Sequence, residues 1–209
     1  GIQIPSGPTE YRGGRGRGFF GAGATPSQVN IIDKIEIATT GNASDFGDLD
    51  MTTNQSGGAS SSTRAVFAGG RSPGNTNIMD YVEIMTLGDA IDFGDLSDGS
   101  KTKGPSAVSS PTRGIITNGY GAGTGIDAIT IASKGNATVV GQDLYHGGYC
   151  TNGASTGTRG VWAGGYTATA ASPYAMTTTS IRGVDIASGG NSIEFGNLHN
   201  KRIDTYQCG

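Results

Sequence analysis

The sequence predicts an all-β fold, a four-bladed β-propeller with four short antiparallel strands in each blade. Three observations predict it. Glycine is frequent (38 of 209 residues) and charged residues are few (15%), which disfavours helices and suits short strands joined by tight turns. One segment of about 47 residues recurs four times along the chain. Each copy holds four strand-like segments, which is the content of one propeller blade.

Two independent anchors establish the repeat. The first is the aromatic position of "DFGDL", which recurs after 47, 47 and 55 residues. Its occurrences are Phe46, Phe93, Val140 and Phe195. The second is an arginine before "GFFGAG", "AVFAGG", "GIITNG" and "GVWAGG", which recurs after 47, 49 and 46 residues. Its occurrences are Arg17, Arg64, Arg113 and Arg159. Because the two anchors stay in phase, we assign repeats to residues 17–63, 64–112, 113–158 and 159–198.

The four segments of each repeat are predicted to be strands for different reasons. The "RxVFAGG" segments are short and apolar, and their Gly-Gly permits a tight turn. "IDKIEI", "MDYVEI", "IDAITI" and "IRGVDI" alternate β-branched and polar residues. "TTGN", "TLGD" and "SKGN" then provide hairpin turns before the "DFGDL" strand. "GGASSS", "GPSAVSS" and "NGASTG" form a fourth strand of small residues, which suits a crowded axis.

The chain ends suggest how the ring closes. We expect residues 1–16 to form an N-terminal arm and residues 199–209 to form a ring-closing segment, because Cys208 aligns with Ala59 at the start of the small-residue strand. Two alternatives stay open: the chain is part of a larger propeller, or the repeats form a β-solenoid that does not close. Cys150 and Cys208 could pair, but the sequence does not fix the distance that a disulfide requires.

Charge and hydropathy exclude two classes of function. With a net charge of −3, the chain is not basic enough to present the positive surface of a nucleic-acid-binding protein. The basic stretch "YRGGRGRG", residues 11–18, is interpreted as a flexible arm. No apolar run approaches the roughly 18 residues of a membrane span. We therefore expect neither nucleic acid nor membrane as a partner.

The repeats "NTNIMDYVEIMTLGDAIDFGDL" and "TRAVFAGG" resemble a kelch-like repeat common in bacteriophage virion proteins, including those of cyanophages and other marine phages. The resemblance covers residues 17–198. It is specific at "IDFGDL" and "TRAVFAGG" and looser in the third and fourth repeats. It implies a structural role in the virion, as a tail-fibre, appendage or capsid-decorating component, and it brings no catalytic residues with it.

The polar residues offer little chemistry. His146 and His199 follow the "DL" and "NL" of their repeats, and two loop histidines fall short of the three or four ligands of a zinc site. The recurring Asp33, Asp80 and Asp127 are interpreted as caps of backbone amides or as partners of the repeated arginines across blades. We predict no catalytic residue, metal or cofactor, and hence no enzyme.

The longest departure from the repeat is an insert in the fourth unit, "YTATAASPYAMTTT". It carries Tyr166 and Tyr174, and Tyr120 ends the matching strand of the third unit. Aromatic planes with nearby hydroxyls suit a sugar or a protein surface, so these three tyrosines are the predicted ligand-binding residues.

The resemblance implies a virion protein, and the lack of candidate catalytic residues predicts that it is non-enzymatic. Its partners would be other virion proteins, further copies of itself, or a host-surface glycan reached through the insert. The alternative is a lectin-like, carbohydrate-binding propeller of a bacterial surface or secreted protein. An enzyme built on a propeller, such as a glycan lyase or a copper oxidase, ranks third.

Overall fold

In the computed structural model of the chain, the residues described are 16–98, 102–117, 119–121, 124–143, 152–165 and 178–201. They form β-strands and turns, without a helix. Within these residues no helix is long and apolar enough to cross a membrane. The main strands group into four antiparallel sheets that follow one another along the chain.

The first sheet has three strands in the order β1-β2-β3. They are β1 (Arg17–Gly21), β2 (Val29–Glu36) and β3 (Ser44–Thr53). The second sheet has four strands in the order β4-β5-β8-β9. They are β4 (Gly57–Ser60), β5 (Arg64–Ala68), β8 (Ile78–Glu83) and β9 (Ile91–Asp95). A separate hairpin of β6 (Arg71–Ser72) and β7 (Gly74–Asn75) interrupts it.

The third and fourth sheets repeat this order of strands. The third is β11-β12-β14-β15 and the fourth is β16-β17-β18-β19. The third contains β11 (Ala107–Ser109), β12 (Arg113–Thr117), β14 (Gly125–Thr130) and β15 (Thr138–Gln142). The fourth contains β16 (Asn152–Ser155), β17 (Arg159–Ala163), β18 (Ser180–Asp185) and β19 (Ile193–Asn197). A short pair of β10 (Thr102–Lys103) and β13 (Tyr120–Gly121) flanks the third sheet.

The strand segments fall where the sequence predicts them, but the small-residue strand at the end of one predicted repeat pairs with the next: β4, within 17–63, pairs with β5. The small-residue segments become β4, β11 and β16, and the "RxVFAGG" segments become the second strand of each four-stranded sheet. Gly69 and Gly70 of "FAGG" have φ of 64° and 113°, a conformation open to glycine at little cost. The part of the predicted ring-closing segment that contains Cys208 lies outside the described residues, so ring closure stays a prediction.

The core lies between consecutive sheets, in three buried apolar clusters. We call the side of a sheet that packs on the next sheet its forward face, and the opposite side its rear face. The forward face of the second sheet contributes Val66, Met79, Phe93 and Leu96 to its cluster. The rear face of the third sheet contributes Ile116, Ile129, Ile131 and Ala137. Burial of apolar side chains between sheets is thus the main contribution to stability, and each interface is formed by two consecutive sheets.

A β-bulge aims the aromatic of "DFGDL" into this core. In the second sheet, Met79 pairs with Gly94 while Asp80 pairs with Asp92, so Phe93 is the extra residue. The third and fourth sheets bulge at the equivalent places, Val140 and Phe195. Because a bulge redirects one side chain, this position leaves the alternation of its strand and points to the forward face.

Candidate interaction surface

Consecutive sheets make the same set of contacts three times. We call each contact region, between the forward face of one sheet and the rear face of the next, a seam. In the seam between the second and third sheets, Gly135 N–H donates to the carbonyl of Phe93 (2.8 Å), and Ala137 N–H donates to that of Asp95 (2.8 Å). The other two seams make the same pair of bonds. They are Gly88 to Phe46 and Ala90 to Asp48, then Gly190 to Val140 and Ser192 to Gln142. The hairpin turn of one sheet therefore docks on the outer strand of the sheet before it.

The turn also contributes a side chain to each seam. Asn136 Oδ1 accepts the Asp95 N–H at 3.0 Å, and Asp89 and Asn191 do the same in the other seams. The approach is close enough that a Cβ on Gly94, whose φ is +137°, would lie 2.6 Å from the carbonyl of Gly135. The glycine of "DFGDL" is thus required because the Gly-Asn or Gly-Asp turn of the next sheet packs directly against it.

The repeated arginine completes the seam. Arg64 Nε bonds Glu83 of its own sheet at 2.7 Å, and its Nη1 donates to the carbonyls of Ile131 and Ala132 in the next sheet at 3.2 and 2.8 Å. Arg17 pairs with a glutamate and a carbonyl in the same way, and Arg113 donates to the carbonyl of Ala187. The predicted ties to aspartates across blades are therefore wrong for Arg64 and Arg113, because their inter-sheet acceptors are backbone carbonyls.

Two of the recurring aspartates, Asp80 and Asp127, bind backbone amides, as predicted. Asp80 Oδ2 accepts the Asp50 N–H at 3.3 Å, and Asp127 accepts both the N–H and the hydroxyl of Ser97 at 2.8 and 2.6 Å. Each bond reaches back to the preceding repeat. Asp127 therefore caps the chain just after β9, whereas Asp80 binds an amide within β3.

The seam between the third and fourth sheets adds a buried polar network absent from the repeat pattern. Asp143 stands where other repeats have leucine, and Arg182 stands where they have Asp33, Asp80 or Asp127. Asp143 Oδ1 lies 3.5 Å from Arg182 Nε, and each side chain is 3% exposed. The same carboxylate accepts the Trp162 indole N–H at 2.9 Å and the Ser192 hydroxyl at 2.7 Å. Sequence reasoning missed this pair, although the coupled replacement of leucine and aspartate was a usable signal.

The forward face of the fourth sheet carries the parts of a seam, and no turn among the described residues covers it. Phe195 is 54% exposed, whereas its equivalent Phe93 is 1% exposed. The Arg159 guanidinium lies 6.0 Å from the centroid of the Phe195 ring, and a Cβ on Gly196 would meet nothing within 4 Å. An open groove of about 550 Å³ lies here. Its lining residues are Ala154, Ser155, Thr156, Thr158, Arg159, Val161 and Phe195.

The rear face of the first sheet is the complementary exposed surface. Phe20 is 61% exposed and Ile37 is 66% exposed, although the residue equivalent to Ile37 in the second sheet, Ile84, is buried. Ala43 is also exposed, whereas its equivalents in the third and fourth sheets, Ala137 and Ser192, are buried. Among the described residues, no hydrogen bond joins this face to the fourth sheet.

Charge on the fourth sheet is locally balanced. Arg159 pairs in register with Asp185 of the neighbouring strand. Hydrogen bonds from the backbone N–H (2.8 Å) and hydroxyl (2.9 Å) of Ser188 hold the pKa of Asp185 below its ordinary value, and the nearby Arg159 lowers it further. The carboxylate therefore stays ionised beside the guanidinium. The groove is mainly apolar with one cation at its rim.

The predicted ligand-binding tyrosines fall largely outside the residues that the structure describes. Tyr120 pairs with Lys103 in β13 through its backbone, and its side chain lies outside the description. Tyr166 and Tyr174 also lie outside the described residues, as does His146, while His199 is exposed. Binding through the three tyrosines stays a prediction. Sequence reasoning missed Arg159 and Phe195 as surface residues because their repeat positions are those of buried seams.

Antiparallel sheets that stack face to face in chain order define a β-propeller-like, all-β protein. The chain is similar to the solved structure of YjhT, with a TM-score of 0.69 and 8% sequence identity, over 88% of this chain and 63% of YjhT. It thus spans less than two thirds of the length of YjhT, and at this identity the likeness shows the fold alone. No protein-family model matches the chain, and no curated protein matches it either.

Proposed function

We propose that the chain is a non-enzymatic structural protein of a bacteriophage virion, in which each of the four sheets is one kelch-like blade. It acts as a tail-fibre, appendage or capsid-decorating component, and its partners are other virion proteins or further copies of itself. The observation that carries the proposal is the forward face of the fourth sheet. It has the composition of an internal seam, yet Phe195 and Arg159 are exposed on it.

Two features support an assembly role. The exposed face combines an aromatic ring, aliphatic side chains and an arginine at the rim, a composition that favours protein contacts. The repeated text of the second unit resembles the kelch-like repeats of phage virion proteins. Surface complementarity is then sufficient for the function, without bond chemistry.

The test is to locate the protein in particles of a phage that encodes it. Virions purified by density gradient are digested and analysed by mass spectrometry, and intact particles are labelled with a specific antibody for electron microscopy. The proposal expects peptides that co-purify with the particles at a fixed stoichiometry and label at one position on them. Peptides confined to the particle-free lysate would refute it.

A further inference from the structure

We propose that the forward face of the fourth sheet binds the rear face of the first sheet of a second copy of this chain, head to tail. The two faces are the two halves of a seam that the chain builds three times between its own sheets. The inference rests on the proposed function, because it names the partner that the assembly surface takes.

The apolar parts of the two faces correspond position by position to buried seams. On the fourth sheet, the equivalents of the buried Val66, Met79, Phe93 and Leu96 are exposed or half-buried. They are Val161, Ile181, Phe195 and Leu198. On the first sheet, the equivalents of Ala65, Phe67, Val82 and Ile84 are Gly18, Phe20, Ile35 and Ile37. Joining the faces would bury both sets, which is the hydrophobic term that already holds the internal seams.

The polar parts correspond as well. By repeat equivalence, Gly41 N–H would donate to the carbonyl of Phe195, as Gly88 donates to Phe46. The side chain of Asn42 would accept the N–H of Asn197, as Asn136 accepts that of Asp95. Space for this approach exists at Gly196, where a Cβ would meet nothing within 4 Å, whereas a Cβ on the equivalent Gly94 would lie 2.6 Å from the docked turn.

The second copy is favoured over the chain's own first sheet for a geometric reason. Both faces are exposed on the same molecule, and no hydrogen bond among the described residues joins them. Because Phe20, Ile37 and Phe195 are all more than half exposed in one copy, its own first sheet does not fill the groove. A head-to-tail contact between unlike faces leaves a free face at each end, and it therefore continues beyond a dimer.

Cross-linking tests the contact directly. Both natural cysteines are replaced by serine, and Asn42→Cys and Asn197→Cys are made in separate chains. A short bismaleimide should give a covalent dimer in the mixture and none with either variant alone. A chain carrying both cysteines should give a ladder of dimers, trimers and larger species. The matched control uses Gly74→Cys in place of Asn42→Cys. Gly74 is exposed in β7, away from both faces, so this variant should give no dimer with Asn197→Cys.

Two outcomes would overturn the inference. If the doubly substituted chain cross-links only within itself, at the mass of a monomer, its own first sheet fills the groove. If neither the mixture nor the double variant cross-links, the groove takes a different partner.

A point substitution provides a second readout, by sedimentation velocity over a range of concentrations. Phe195→Ala should weaken self-association by about tenfold or more, since a central aromatic anchor is lost. Ile193→Ala is the matched control, because its equivalent Ile91 stays exposed in an internal sheet; it should change association by no more than about twofold. Equal effects of the two variants would contradict the contact. Cross-linking without virion peptides would refute the proposed function alone, and virion peptides without cross-linking would refute this inference alone.

Discussion

Removing the charge of Asp143 should destabilise the protein by about 3–5 kcal/mol, because it leaves the Arg182 guanidinium buried without its carboxylate partner. Asp143→Asn keeps the shape of the side chain and an oxygen that accepts the Trp162 N–H. It removes the negative charge 3.5 Å from Arg182 Nε, where each side chain is 3% exposed. Glu194 lies 3.7 Å from Arg182 Nη1, but it is exposed, so it compensates weakly.

The assay is urea unfolding followed by tryptophan fluorescence. Trp162 is the single tryptophan of the chain and touches the network itself, so its emission reports on this seam. The matched control is Glu36→Gln, which removes the carboxylate of the surface pair with Arg17 (2.9 Å). A surface pair of this kind should contribute about 0–1 kcal/mol.

A double-mutant cycle separates the pair from its surroundings. Arg182→Met should also be costly alone, and the Asp143→Asn/Arg182→Met chain should be more stable than the sum of the single effects implies, by about 0.5–3 kcal/mol. Single effects that simply add, or a cost of Asp143→Asn below about 1 kcal/mol, would refute the claim that the two charges are coupled in the seam.

Three further predictions concern the repeated seams. Phe93→Ala should cost about 3–5 kcal/mol in the free energy of unfolding, and a loss below about 1 kcal/mol would mean that the ring is not core. Gly94→Ala should cost more than Gly196→Ala, since both have positive φ but only the first would clash with Gly135; equal unfolding midpoints would contradict this. Burial raises the pKa of the Asp80 carboxyl above its ordinary value of 3.8. Stability relative to Asp80→Asn should therefore increase as pH falls through the raised pKa towards 3.8, and a difference in unfolding midpoints that does not vary with pH would contradict it.

Much of the fold could be predicted because the same pattern of strand and turn residues recurs in each unit of the repeat. The strand segments, the hairpin turns and the small-residue strands of the second, third and fourth sheets follow from β-branched alternation and from Gly-Asn or Gly-Asp turns. The hairpin of β6 and β7 and the pair of β10 and β13 were not predicted, since two-residue strands leave no periodic pattern.

The contacts between sheets were less predictable. A repeated arginine and a repeated carboxylate suggest an ion pair across blades, but the sequence does not say which backbone carbonyl a guanidinium reaches. Arg64 reaches those of Ile131 and Ala132, more than sixty residues away. The exposure of Phe195 could not be predicted either, because its local sequence matches that of the buried Phe93.

The polar network of the third seam also bears on how the gene can change. The first two seams share their backbone hydrogen bonds, but their packing differs: a Cβ at Gly21 would lie 2.6 Å from the Phe67 ring, and the second unit has Ala68 at that position. An in-frame duplication of the second unit, by unequal crossing-over, would therefore require that ring to repack, but it would bury no unpaired charge.

The fourth unit is different. Arg182 of the fourth unit lies beside the carboxylate of Asp143 in the third unit. The first and second units have leucine at the position of Asp143, namely Leu49 and Leu96. A recombinant that placed the fourth unit after either of them would bury an arginine against an aliphatic side chain. The third and fourth units are therefore expected to be inherited as a block, while copy number varies upstream of them.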